Sequence, residues 1–228
     1  LEQLDHHQAG LRRAQGAPQP GLVVVELFQS QGCSSCPPAE ANLNALAGRP
    51  GVLALSFGVT YWDQLGWKDT FAAPEYTERQ WAYARRRGRD NVWTPQVYVN
   101  GRADLVGNDR AQFEQAVAQA EPSAGPAMHW EPGKLALGAG AAPASCEVWL
   151  VRYDPRTLQV AIGAGENGGR RLPQRNVVRQ LVRLGRWDGA AHTYALPGPP
   201  QPGLATAALV QAGPGGEIVG AGRQDGPR

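Results

Sequence analysis

A chain of 228 residues with 42% hydrophobic and 18% charged side chains can bury a core of its own and has room for one or two domains. Its formal charge of +2, from 22 basic and 20 acidic residues, argues against nucleic-acid binding as the main role. Three cysteines are too few for a disulfide scaffold, and no stretch approaches the roughly 18–20 apolar residues of a membrane-spanning helix.

Residues 1–20, with His6, His7, Pro18 and Pro20 and little apolar period, read as a flexible tail. Order begins at Leu22–Phe28, a β-branched apolar run of the kind that forms a strand covered on both faces. Pro37-Pro38 opens a helix that runs to about Ala47, with Ala39, Leu43 and Leu46 at helical spacing and Gly48 as its stop. Val52–Phe57 is a second strand, so the three elements predict a parallel βαβ unit.

Residues 59–74 are polar and aromatic without a clear period and read as an insertion carrying Trp62 and Trp67. A helix follows over Tyr76 to about Arg87, with Glu75 and Glu78 near its start and Arg85, Arg86 and Arg87 near its end, as the helix dipole favours. Residues 96–107 predict a hairpin around Asn100-Gly101. Asn108 or Asp109 caps a last helix with Phe113, Ala116, Val117 and Ala120 on its apolar face.

Pro122–Pro126 breaks this pattern. Beyond it lie short strand-like runs at 146–153, 158–162, 176–184, 192–196, 204–211 and 217–219, separated by Gly and Pro. The expected organisation is therefore an α/β unit over 21–122, followed by a small all-β, sandwich-like unit over 126–222.

Chemistry concentrates at Cys33-Ser-Ser-Cys36, between the first strand and the first helix. A thiolate at a helix N-terminus faces free N–H groups and the positive end of the dipole, which lowers its pKa. Cys33 is then the exposed nucleophile, and Cys36, one turn inward, the resolving thiol. Pro37 and Pro38 bring no N–H to the first turn and weaken that activation. Glu26 is either a buried proton acceptor near Cys36 or a solvent-facing carboxylate at an edge. A zinc site finds only Cys146, His6, His7, His129 and His192 as further ligands, none at ligand spacing.

The order β-α-β-α-β-β-α with this Cys pair resembles a thioredoxin-like fold, in which the proline before the third strand is cis and lies against the cysteines; Thr94-Pro95, after Trp93, is the matching element. The motifs SQGCSSCPPAE (30–40), YWDQLGW (61–67), TPQVYVNG (94–101) and GENGG (165–169) resemble a thioredoxin-like bacterial family known as domain of unknown function 1223, over about residues 21–222. The resemblance implies a thioredoxin-like domain joined to a small β domain in an exported protein. The start at Leu1, with Met128 as the single Met, fits a removed export signal and a trimmed chain equally well; the resemblance implies a periplasmic or secreted protein.

The expected activity is thiol-disulfide exchange with protein thiols or disulfides. Cys33 and Cys36 do the chemistry, Thr94 and Pro95 shape the groove, Trp62, Trp67 and Trp93 line it, and no diffusible cofactor is needed. The alternative is a binding module in which the pair is a structural disulfide or a Cu(I) thiolate site. Arg175, Arg179 and Arg183, four residues apart, read as a solvated face; the 165–169 glycines as a turn between strands; Cys146 as a small buried apolar residue.

Overall fold

A computed structural model describes residues 21–143 and 145–224; the tail expected over 1–20 lies outside them. Strand β1 (Val23–Gln29), helix α1 (Cys36–Leu46) and strand β2 (Val52–Gly58) form the parallel unit, and every residue of both strands is buried. Helix α2 (Pro74–Arg86) follows the aromatic insertion. Strands β3 (Gln96–Val99) and β4 (Ala103–Leu105) make the hairpin, with positive φ at both Asn100 and Gly101, the backbone that Asn-Gly adopts at low cost. Helix α3 (Arg110–Ala118) is capped by Asp109, whose side chain accepts a hydrogen bond from the Gln112 N–H.

The second half contributes β5 (Met128–Glu131), β6 (Lys134–Leu137), β7 (Cys146–Asp154), β8 (Leu158–Ala161), β9 (Arg171–Gln174), β10 (Val177–Trp187), β11 (His192–Ala195), β12 (Ala205–Gln211) and β13 (Ile218–Arg223). The fold is mixed α/β. One eight-stranded sheet runs β13-β12-β7-β10-β2-β1-β3-β4, beside a three-stranded sheet β11-β6-β5 and a two-stranded sheet β8-β9.

The boundary expected at 122–126 therefore does not interrupt the main sheet, which draws four strands from each side of it. The seam is short. Val177 pairs with Ser56, the Ser56 N–H donates to the Asn176 carbonyl (3.0 Å), and the Asn176 side-chain amide donates to the Ala54 carbonyl (2.8 Å). Asn176 sits at φ +53°, a left-handed conformation that Asn tolerates better than most residues.

Side-chain alternation in β1 divides the core. Val24 and Phe28 join a cluster holding Phe57, Tyr76, Tyr83 and Tyr98 together with Val151, Val178 and Leu209 of the second half, so the two halves share one core. Val23, Val25 and Leu27 face α1 and α3 through Ala39, Leu43, Phe113 and Val117. In the second half Leu135, Leu137 and Tyr194 of the three-stranded sheet share a core with Val148, Trp187 and Val210 of the main one. Cys146 is buried in that core.

Glu26 falls on the Phe28 face of β1. It is fully buried, accepts from Arg79 Nε of α2 at 2.6 Å, and accepts a short hydrogen bond from the Tyr83 hydroxyl. Burial disfavours the Arg79 charge, but Glu26 more than offsets it and the guanidinium stays charged. Removing one member strands the other charge in the core. Arg79→Leu is expected to cost about 3–5 kcal/mol in urea unfolding, and Glu26→Leu/Arg79→Leu to recover much of that loss.

Candidate functional site

The C-terminal ends of the parallel strands β1 and β2, the start of β3 and the start of β10 lie at one end of the main sheet, since Phe28 pairs with both Phe57 and Gln96, and Ser56 pairs with Val177. That end carries the loop Ser30–Ser35, the aromatic insertion, Thr94-Pro95 and the return from β9. The Thr94–Pro95 peptide is cis and Pro95 is buried. Gln80 of α2 fixes the approach to it, donating from Nε2 to the Trp93 carbonyl and to Gln96 Oε1, both at 2.8 Å. Arg89 stacks over the Trp93 ring at 5.3 Å.

Cys33 and Cys36 are joined as a disulfide at the start of α1. Cys33 is not the exposed residue that its position suggests: its exposure is 0%, and that of Cys36 is 2%. The cover comes from residues more than 130 positions away. Asn167 donates from Nδ2 to the carbonyls of Gln31 and Cys33, each at 2.9 Å, and Glu166 accepts from the Ser34 N–H at 2.9 Å. That bond holds the Glu166 carboxyl below the usual carboxylate range. The turn at 165–169 thus lies between two strands, as expected, although the second is β9, and it also roofs the cysteine loop. Trp67 packs against it so closely that a Cβ on Gly163 would lie 2.9 Å from the indole ring.

Gln31 ties these pieces together. Its Oε1 accepts from Trp67 Nε1 and the Thr70 N–H, and its Nε2 donates to Thr70 Oγ1 and to Gln174 Oε1 of β9, all between 2.9 and 3.1 Å. Its own N–H donates to Asp69 Oδ2, at 2.8 Å. Trp67 is therefore part of the roofed site. Trp62 packs at the margin of the core beside Gly32, and Trp93 stands next to the cis peptide.

The carboxylate next to Cys36 is not Glu26, which the strand alternation turns to the opposite face of the sheet from α1. It is Glu40, one helical turn after Cys36 on the same face of α1. Glu40 is buried, and its Oε2 accepts from the Ser56 hydroxyl at 3.2 Å, while Oε1 has no hydrogen-bond partner among the described residues. Burial pushes its pKa up to about 8, with Asp69 adding to the rise and Ser56 and the Arg175 backbone opposing it. Glu40, Cys36, Gln29 and Ser30 line a pocket of about 40 Å³ together with Leu172, Pro173 and Gln174. The sequence signal for Glu40 is its four-residue spacing from Cys36; Gln31 has no such signal.

Cys33 Sγ lies 3.3 Å from the Ser35 hydroxyl. The first turn of α1 contains Pro37 and Pro38, and its N-cap Ser35 makes no side-chain capping bond, so few N–H groups are left to stabilise a thiolate. Arg175, Arg179 and Arg183 do not converge: Arg175 donates to the Pro155 carbonyl, Arg179 stacks on Phe71, and Arg183 pairs with Glu147.

The family model described as "Protein of unknown function (DUF1223)" matches residues 24–211. The chain belongs to this family. A crystal structure of protein AGR_C_4864 from Agrobacterium tumefaciens is similar at 30% identity and a TM-score of 0.72, over 91% of this chain and 95% of that one. HBP35 of Porphyromonas gingivalis aligns over 92% of this chain and 76% of its own with a TM-score of 0.54; at 13% identity the likeness is one of fold. No curated protein sequence matches the chain.

Two outcomes are expected of this geometry. Asn167→Ala removes the side-chain donor from the buried carbonyls of Gln31 and Cys33, the latter keeping the Cys36 N–H at 3.2 Å, a loss of about 1–3 kcal/mol, and should speed reduction of the disulfide by dithiothreitol roughly tenfold or more, followed by quenched-flow thiol trapping. Glu40 is protonated in the folded chain up to about pH 8 but ionises near its ordinary value of 4.5 when unfolded. Its contribution is thus complete below about pH 4.5 and is lost as pH rises towards 8, at about 1.4 kcal/mol per pH unit. Urea unfolding of Glu40→Gln should show a correspondingly flatter pH dependence across that window.

Proposed function

We propose that the protein is a thiol-disulfide oxidoreductase of the bacterial envelope, built on a thioredoxin-like unit and acting on protein thiols or disulfides. The observation that carries this reading is the Cys33–Cys36 disulfide at the junction of a buried strand and a helix, at the same end of the sheet as the cis Thr94–Pro95 peptide. In the exchange step a substrate thiolate attacks Cys33 Sγ. The Cys33–Cys36 bond breaks, a mixed disulfide forms between substrate and Cys33, and Cys36 leaves as a thiolate that takes up one proton. In the reverse direction Cys36 attacks the mixed disulfide and releases the substrate thiol. Thr94 and Pro95 bound the groove, and Trp62, Trp67 and Trp93 form its aromatic side.

The pair should titrate with a potential between about −120 and −270 mV, and Cys33→Ser should abolish exchange with a disulfide-bonded peptide. The complete burial of Cys33 favours one second reading, a binding module with a structural disulfide. A potential below about −300 mV, together with unchanged exchange in Cys33→Ser, would select that reading instead.

A further inference from the structure

The segment between β7 and β10 leaves the main sheet. Its two strands, β8 and β9, pair with each other in a separate sheet, and its contacts with the site fall on a few residues. Glu166 and Asn167 hold the backbone of Gln31, Cys33 and Ser34; Gln174 meets Gln31; and Asn44 of α1 donates to the Pro173 carbonyl at 2.9 Å. The same segment supplies Leu172, Pro173 and Gln174 as one wall of the pocket that Glu40 and Cys36 line, and both of these residues are buried. Lifting it therefore does two things at once: it uncovers Cys33, and it wets a carboxyl group whose Oε1 has no hydrogen-bond partner among the described residues.

On the reading of Cys33–Cys36 as the working pair, we propose that the 163–174 segment is a gate over Cys33 whose opening is coupled to ionisation of Glu40, so that access to the disulfide rises with pH. The groups facing Glu40 favour its neutral form while the gate is shut. From β1 and β2 it meets the neutral side chains of Gln29 and Ser56, and from β9 those of Leu172, Pro173 and Gln174. The charged group beside it is Asp69, which is itself satisfied by the N–H groups of Gln31, Phe71 and Ala72. Arg175 offers only its backbone; its guanidinium donates to the Pro155 carbonyl.

The coupling has a sign and a size. The closed form keeps the Glu40 proton up to about pH 8, whereas a solvated Glu40 in the open form releases it near 4.5. Between those limits the open form binds one proton fewer, so its population rises about tenfold per pH unit.

Trypsin cleavage at Arg170 and Arg171, which lie in the gate, reads this opening without sulfur chemistry, and the sites are assigned by mass spectrometry. The ratio of wild-type to Glu40→Gln cleavage rates cancels the protease's own pH dependence. It should rise by about tenfold per unit from pH 6 to 8, and a flat ratio overturns the proposal. If Glu40→Gln does not fold, carbon-13 NMR of the Glu40 carboxyl supplies the test. Its titration midpoint should fall from near 8 in the wild type towards the ordinary carboxylate range in Asn167→Ala, where the gate is loosened, and an unchanged midpoint overturns the proposal. A rising ratio in a protein without exchange activity would sink the redox reading and leave the gate standing; a flat ratio with intact exchange would sink the gate alone.

Discussion

The contact on which the rest of the molecule depends is the meeting of Asn176 and Val177 with Ala54 and Ser56. A single bridging pair and two hydrogen bonds attach β10 to β2, and through them the four strands of the second half extend the sheet begun by the first. The apolar gain is large on both sides of this seam, because Val151, Val178 and Leu209 complete the cluster built on Phe28, Phe57 and Tyr83. The seam also fixes where the preceding residues, 163–174, come to lie. Ser56 itself bonds Glu40, so the residue that joins the halves also touches the buried carboxyl beside the disulfide.

Elements with strong local signals were legible in the sequence. The β1-α1-β2 unit is written in two fully apolar runs around a proline-started helix, and the β3–β4 turn in Asn-Gly. Three strands escape such reading. Strand β9 contains Pro173, which argues against a strand unless it lies outside a central sheet, as this one does. Strands β5 and β6 are four residues each, too short for alternation to stand out, although Pro132-Gly133 between them is a turn signal and Gly133 has φ +71°. The division into two units follows from the Pro-rich break at 122–126, but composition along a chain carries no information on whether later strands join an existing sheet edge.

The site divides in the same way. The cysteine pair and the Thr-Pro element are local patterns and could be named. Which carboxylate stands by Cys36 depends on the face of β1 that α1 covers. Counting alternate residues along one strand does not reveal that, whereas counting a helical turn from Cys36 leads to Glu40. The burial of Cys33 is a contact across more than 130 residues, for which glycine density at 165–169 is the nearest sequence trace.

The gate segment leaves and rejoins the sheet at neighbouring points, since Asp154 at the end of β7 is paired with Val177 at the start of β10. Its two ends are thus held side by side whether or not it rests on the cysteines. Closure then carries little of the entropy cost of joining distant chain ends, and the segment behaves as a ligand tethered at high effective concentration to its own site. On the proposed reading an incoming thiol partner would have to outcompete that tethered occupant, so residues 163–174 would set a threshold for recognition that is tuned by a handful of hydrogen bonds outside the main sheet and can change without disturbing it.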